Sequence, residues 1–214
     1  EVKYGVGSWD PESGLGNHRA VVRVETLPSS GRIAGRLVNS RPPVIAAEFS
    51  RNAAVVRVRI PWRRRDADPG QKGLLVFDAA TGARITNVVP LSIDRESGDI
   101  LFEPRTVPGD YFVYYMPYKS EGRKNYPNVK YDPPQATANP AWLAKVGLPP
   151  GKPASLKPDV LSEAKVVEIQ SADEFSGFYP MEVIATAAET EALLMAKCRS
   201  GAVVRRCGYR RECS

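Results

Sequence analysis

The sequence predicts an all-β domain: an antiparallel β-sandwich with a long proline-rich arm and a C-terminal helix that breaks off. Short runs of β-branched and aromatic residues recur along the first 118 residues, and tight-turn sequences such as Asp68-Pro69-Gly70 separate them. Two of these runs alternate apolar with charged residues, which is the pattern of strands with one buried face. Short strands at this spacing are typical of a sandwich or a barrel rather than of alternating strands and helices.

Seven strands are predicted in residues 1–118, at His18–Thr26, Val44–Phe49, Ala54–Trp62, Leu74–Asp78, Arg84–Val89, Asp99–Glu103 and Asp110–Tyr118. In the third of them, Val56, Val58 and Ile60 share one face, and Arg57 and Arg59 take the other. The predicted core consists of the apolar, inward-facing positions of these strands: Val22, Val24, Val56, Val58, Ile60, Phe77, Leu101 and Val113.

The last of these strands is apolar or aromatic on both faces. Alternation places Tyr111, Val113 and Tyr115 on one face, and Phe112, Tyr114 and Met116 on the other. A strand at the surface of a lone sandwich should show one polar face. We therefore expect the second face to be covered as well, by another layer of the chain, a partner domain or a ligand.

Residues 119–158 form the predicted arm. Eight prolines in this stretch leave little room for regular structure, apart from one short helix from Asn139 to Lys145 with Asn139 as its N-cap. A loop of this length is a binding loop, a surface arm or a linker, and Trp142 indicates that it packs on something.

Residues 159–197 are predicted to return to regular structure, which ends in a helix that breaks off. They hold a predicted strand at Ala164–Gln170 and a capping box at Thr186–Glu189 that opens a helix over Ala187–Lys197.

Residues 198–214 form a predicted aberrant tail. Residues 196–214 hold six basic residues against one acidic residue, whereas the rest of the chain has 24 basic and 23 acidic residues, although the formal net charge of the whole is +6. All three cysteines, Cys198, Cys207 and Cys213, lie in the tail, at a spacing that matches no zinc site. We interpret the tail as out-of-frame sequence at the end of a truncated fragment, with a native basic tail as the alternative.

Three features of the sequence are candidates for a catalytic or binding site. His18, the only histidine, lacks an assignable nucleophile and is predicted to be structural. Asp173-Glu174 is an acidic pair beside aromatic residues, but Ser171 with Glu174 also forms a capping box, and this interpretation is preferred. Arg63-Arg64-Arg65 could meet a polyanion, but Asp66 and Asp68 follow, so a neutralised charge cluster at the end of a strand is preferred. No catalytic residue, cofactor or metal site is predicted.

Four segments carry a family resemblance: Gly16–Val22, Ile60–Asp66, Gly109–Lys119 and Phe178–Ala185. Over roughly residues 1–195 the chain resembles the N-terminal region of large bacterial proteins similar to the family 123 glycoside hydrolases. The resemblance implies a β-sandwich. It also implies that the activity, removal of a terminal N-acetylgalactosamine assisted by the substrate's acetamido group, belongs to a C-terminal (β/α)8 barrel with its own Asp-Glu pair. That role is not carried over to Asp173 and Glu174.

The leading hypothesis is a non-catalytic β-sandwich of a glycoside hydrolase that supports a missing catalytic barrel and walls one side of the glycan cleft. A self-standing carbohydrate-binding module is the alternative, and a small hydrolase or a polyanion binder is less favoured. The candidate glycan or domain contacts are Trp62, Tyr114 and Trp142. The expected partners are the catalytic domain of the same protein and a glycan, with no nucleic acid and no membrane. The expected location is secreted or periplasmic, with the signal peptide outside the chain.

Overall fold

The computed structural model describes residues 2–27, 55–123, 126–148, 161–172 and 195. Within them lie twelve β-strands and one α-helix. The strands are β1 Lys3–Gly7, β2 His18–Val24, β3 Val55–Ile60, β4 Leu74–Asp78, β5 Arg84–Ile85, β6 Val88–Ile93, β7 Gly98–Phe102, β8 Gly109–Tyr115, β9 Tyr118–Arg123, β10 Tyr126–Tyr131, β11 Leu161–Glu163 and β12 Lys165–Ala172, and the helix is α1 Pro140–Val146.

Two sheets face each other across a common core. The larger has the strand order β1-β12-β2-β8-β4-β5, and the smaller has the order β11-β3-β7-β6. Neighbouring strands are antiparallel except for two pairs, β1 with β12 and β11 with β3, which are parallel. The prediction of an all-β sandwich is therefore confirmed, with these two parallel pairs as a refinement. No described helix has the length and apolar character needed to span a membrane.

The main core lies between the sheets, where inward positions of alternating strands meet. Six of the eight predicted core residues are in it: Val22, Val24, Val56, Val58, Ile60 and Val113. The other two predictions need correction. Leu101 is fully buried, but it lies on the opposite face of the smaller sheet, in a second cluster with Val55, Trp142 and Val146. Phe77 is half-buried on the outer face of the larger sheet, and its neighbour Val76 occupies the core position instead.

Strand β8 is entered at a corner where the chain crosses from the smaller sheet to the larger. The Tyr111 hydroxyl accepts hydrogen bonds from the backbone N–H groups of Arg105 and Thr106, at 2.9 and 2.8 Å. It donates in turn to the carbonyl oxygen of Thr106 at 2.7 Å. A tyrosine that fastens such a crossover to its own upstream backbone is a recurring device of β-sandwiches.

One predicted strand is divided between the two sheets. Arg84–Val89 was expected as a single strand, but β5 ends at Ile85 in the larger sheet and β6 begins at Val88 in the smaller. Thr86 and Asn87 make the crossing, and the Asn87 side chain donates to Glu103 Oε2 at 2.5 Å. Neither Thr86 nor Asn87 is a glycine or a proline, so no strong turn signal marks the crossing in the sequence.

The proline-rich stretch contains more regular structure than expected. Strands β9 and β10 pair as an antiparallel hairpin, in which Tyr118 lies opposite Tyr131. The chain then returns to the sandwich, where the Thr137 hydroxyl donates to the carbonyl of Thr86 at 2.6 Å. Both strands of a two-stranded sheet are edge strands, and an edge strand tolerates a proline such as Pro127, which lies opposite Gly122.

The predicted short helix is confirmed together with its cap. The Asn139 side chain accepts a hydrogen bond from the backbone N–H of Ala141, and Gly147 ends the helix in the left-handed region at φ 85°. Trp142 and Val146 face the smaller sheet and form the second cluster there. The helix thus covers the outer face of that sheet. The predicted strand at Ala164–Gln170 is also confirmed, as β12.

Candidate functional site

Strand β8 buries side chains on both of its faces. Tyr111, Val113 and Tyr115 point into the main core, as expected. Phe112 and Tyr114 point to the outer face of the larger sheet. Met116 was predicted on that outer face, but it lies in the main core, because a positive φ of 58° at Met116 interrupts the alternation after β8 ends.

The outer face carries a compact group of side chains that we call the outer-face cluster: Trp9, Arg19, Phe77, Phe112 and Tyr114. The Tyr114 ring is at its centre, with the ring centroids of Trp9, Phe77 and Phe112 at 5.6, 5.7 and 6.4 Å. All three neighbours meet it edge to face, which is a favourable geometry for aromatic pairs. Trp9, Phe77 and Phe112 are half-buried, so the cluster reaches the surface.

Arg19 is the charged member of the outer-face cluster. Its guanidinium carbon lies 3.8 Å from the Phe112 ring centroid and 4.5 Å from that of Trp9. Its Nε donates to Gln170 Oε1 and its Nη1 donates to the Tyr114 hydroxyl, both at 2.8 Å. The relative exposure of Arg19 is only 8%. The interactions that hold it are therefore cation–π contacts and hydrogen bonds to neutral groups.

The strand registers explain why these residues meet. Arg19 lies directly opposite Tyr114 across the β2–β8 pair and directly opposite Gln170 across the β12–β2 pair. Phe77 lies opposite Phe112 across the β4–β8 pair. Residues that lie opposite each other in neighbouring strands share a face, so four strands supply two adjacent rows of side chains to the outer face.

Trp9 reaches the cluster from the loop after β1. Its Nε1 donates to the carbonyl of Gly16 at 2.8 Å, which fixes the indole against Arg19. Gly16 adopts a φ of 78°, and a Cβ atom there would lie 2.7 Å from the carbonyl oxygen of Met116, so the tight approach requires glycine.

The three contact residues predicted from the sequence lie in three different places. Trp62 is 1% exposed in the main core, where its Nε1 donates to the carbonyl of Asp94 at 2.8 Å. Trp142, a residue of α1, is 5% exposed and packs on the smaller sheet. Only Tyr114 belongs to the outer-face cluster. The two tryptophans are enclosed by the chain itself, so neither presents a ring face to a ligand in this structure.

The arginine cluster after β3 is largely engaged within the domain. Arg64 makes a buried bidentate ion pair with Asp66, with donor–acceptor distances of 2.9 and 2.8 Å, and Lys72 adds a third contact to Asp66 at 3.5 Å. Arg63 lies over the Tyr4 ring at 4.7 Å. The prediction that Asp66 neutralises part of this cluster at the end of a strand is therefore supported.

His18 packs against the main core at the start of β2. Its ring stacks on Tyr115 with centroids 6.0 Å apart. The pKa of His18 is lowered from 6.5 to about 4, mainly by burial and to a smaller extent by the positive charge of Arg63. The imidazole is therefore neutral at pH 7. Stacking and a neutral state fit the structural role that the sequence predicted.

Several predicted features lie outside the described residues. They are the strand Val44–Phe49, the acidic pair Asp173-Glu174, the helix over Ala187–Lys197 as a whole, and the tail of residues 198–214 with its cysteines. Within the described ranges, no group of three or more histidine, cysteine or acidic side chains is arranged to hold a metal ion.

Sequence reasoning missed Arg19, Trp9 and Gln170 as members of a site. Arg19 stands on the same alternating face of β2 as Arg23, opposite the apolar face of Val22 and Val24, and this alternation was the available signal. The partners of Arg19 in β8 and β12 could not be identified without the strand registers.

Comparison with protein families assigns the domain. The model of the family described as "Glycoside hydrolase 123, N-terminal domain" matches residues 7–172. The chain belongs to this family. The matched range includes every member of the outer-face cluster, both sheets of the sandwich from β2 onward, and helix α1. Searches of curated proteins and of solved structures returned no match.

Proposed function

We propose that this glycoside hydrolase 123 N-terminal domain is a non-catalytic β-sandwich that packs beside a catalytic (β/α)8 barrel and supports it in the full-length protein. The family match over residues 7–172 carries this proposal. By resemblance to the family, the barrel would remove a terminal N-acetylgalactosamine with help from the substrate's acetamido group. A secreted or periplasmic location is part of the same proposal.

The larger sheet supplies a surface suited to such a support. Its inner face is covered by the smaller sheet, and its outer face carries the half-buried rings of Trp9, Phe77 and Phe112. Aromatic residues grouped at a surface are enriched where protein domains meet. By contrast, the outer face of the smaller sheet is already covered by α1. The outer-face cluster is therefore the surface that we assign to the contact with the barrel.

Two measurements test this proposal. The purified 214-residue chain should not hydrolyse an aryl N-acetylgalactosaminide, and it should associate with a separately expressed catalytic barrel of a family 123 enzyme and raise the melting temperature of that barrel. Turnover by the chain alone, abolished by Glu174→Gln, would instead make this chain an enzyme and would promote the acidic pair to catalytic residues.

A carbohydrate-binding module is the second candidate, and the exposed part of the outer-face cluster favours it. Half-buried aromatic rings beside hydrogen-bonding groups are the elements from which sugar sites are built. Titration of the chain with N-acetylgalactosamine oligosaccharides separates the two candidates. Binding that is lost in Trp9→Ala, without association with a barrel, would favour the module.

A further inference from the structure

We infer that the outer-face cluster receives a carboxylate side chain of the catalytic domain, with Arg19 as the donor that binds it. This inference rests on the proposed function, because it names the chemistry of the same domain contact. The evidence is the unmatched charge of Arg19, its unused donors and the groups that surround them.

The charge of Arg19 has no carboxylate partner among the described residues. Three other arginines each form a bidentate pair with an aspartate, namely Arg23 with Asp110, Arg57 with Asp99 and Arg64 with Asp66. Even Arg23, whose side chain is 52% exposed, is paired in this way. Arg19 is far more buried, and burying a charge without a counter-charge is costly.

The hydrogen-bond network of Arg19 reaches a carboxylate, that of Glu168, only through the side chain of Gln170. Gln170 accepts from Arg19 Nε through Oε1 and donates through Nε2 to Glu168 Oε2 at 2.8 Å. Glu168 thus orients Gln170, and Gln170 orients the guanidinium. The network fixes the position of Arg19 but leaves its own ion pair unmade.

The unused donors lie on the two terminal nitrogens of the guanidinium. An arginine side chain has five N–H donors, and the described residues accept one from Nε and one from Nη1. The second N–H of Nη1 and the N–H groups of Nη2 have no acceptor among those residues. A carboxylate accepts two parallel N–H groups from neighbouring guanidinium nitrogens, which is the strongest form of the pair.

The residue beside Nη2 is a glycine. A Cβ atom at Gly7 would lie 2.8 Å from Arg19 Nη2, 2.6 Å from Gln170 Oε1 and 2.9 Å from the Trp9 ring. Any side chain at Gly7 would therefore press on the donor that the inference uses. The rings of Trp9 and Phe112 contact the guanidinium and lower the local polarity, which strengthens a charge pair formed there.

The test compares two arginines of the same strand. Arg19→Met keeps the unbranched apolar stem of the side chain but removes the guanidinium and its charge, and Arg23→Met is the matched control. Arg23 lies on the same face of β2, four residues away, and its charge is already paired with Asp110. By calorimetric titration against a separately expressed family 123 barrel, Arg19→Met should weaken association tenfold or more and Arg23→Met by less than twofold. Association of the unchanged chain should also weaken as NaCl rises from 0.05 to 0.5 M.

The outcomes separate the two levels of the proposal. If the unchanged chain does not associate with the barrel, the proposed function fails and this inference fails with it. If the chain associates and Arg19→Met behaves like Arg23→Met, the inference is overturned while the proposed function stands. Binding of galacturonate by the chain alone, lost in Arg19→Met, would assign the carboxylate to an acidic sugar and would also overturn it.

A second set of variants tests the inference if Arg19→Met does not fold, which a thermal melt would reveal. Single Asp→Asn and Glu→Gln substitutions on the surface of the barrel test the same pair while the domain keeps Arg19. One of them should weaken association tenfold or more. If none does, no barrel carboxylate binds Arg19.

Discussion

At the residue scale, this domain holds its charged groups in two ways. Arg57 and Arg64 donate to aspartates in bidentate pairs, and the Arg23 guanidinium holds the pKa of Asp110 below its usual value. Arg19 instead rests against aromatic rings and donates to neutral groups. The first arrangement completes the ion pair within the chain, whereas the second leaves the charge without a carboxylate among the described residues.

The pKa of His18 makes stability depend on pH. Because the pKa is lowered from 6.5 to about 4 in the folded domain, the unfolded chain takes up the proton first as the pH falls. The free energy of unfolding should therefore decrease from about pH 6.5 down to about pH 4 by roughly 1–3 kcal/mol, and this contribution should level off below that. Urea unfolding at several pH values measures it. His18→Gln should lack this part of the pH dependence; an identical profile in both proteins would contradict the prediction.

The hydroxyl of Tyr111 should contribute measurably to stability. Tyr111→Phe leaves the N–H groups of Arg105 and Thr106 and the carbonyl of Thr106 without their partner. We expect a loss of about 1–3 kcal/mol in the free energy of unfolding. Tyr4→Phe is the control, since the Tyr4 hydroxyl makes no hydrogen bond with the described residues, and it should change stability by less than about 0.5 kcal/mol. Equal effects of the two substitutions would refute the role of the corner.

At the element scale, β7 is shaped by the indole that covers its first residue. Gly98 begins the strand, and a Cβ atom at this position would lie 1.9 Å from Cη2 of Trp62. The indole is held by its hydrogen bond to Asp94 and by Tyr115, whose ring centroid is 5.0 Å away. The indole of Trp62, which follows β3, therefore packs directly on the backbone of Gly98 at the start of β7.

Gly98→Ala should consequently destabilise the domain. The ring cannot move without breaking its contacts, so we expect a loss of about 1–3 kcal/mol or more by thermal or urea unfolding. Gly70→Ala is the matched control, because a Cβ atom at Gly70 would meet nothing within 4 Å. It should stay within about 0.5 kcal/mol of the unchanged protein. A Gly98→Ala protein as stable as Gly70→Ala would show that Trp62 is not held as described.

At the scale of the whole molecule, the smaller sheet is buried on both faces. Val56 and Phe102 face the main core, while Val55 and Leu101 face helix α1. The arm is joined to the sandwich by hydrogen bonds at Gly73, Thr86 and Asn87 as well. Sandwich and helix should therefore unfold together.

Substitutions in the two apolar clusters test this cooperation. Val58→Ala in the main core should lower the free energy of unfolding by about 1–3 kcal/mol, and Trp142→Ala on the buried face of α1 by about 3–5 kcal/mol. In both variants, far-ultraviolet circular dichroism and tryptophan fluorescence should report one coincident transition. A separate early transition in Trp142→Ala, with the sandwich as stable as before, would mean that the arm folds independently.

Local sequence determined most of the strands, the cap of α1 and six of the eight predicted core residues. Alternation and capping depend on residues a few positions apart, which the chain displays directly. The outer-face cluster depends on strand register instead: Arg19 donates to Tyr114 and to Gln170, which are 95 and 151 positions away. The same holds for Phe77, Leu101 and Met116, whose faces depended on the register of β4 with β8, the helix α1 that covers the smaller sheet, and one backbone angle. Only the tertiary structure decides such placements, because pairing between distant strands is a property of the assembled sheets.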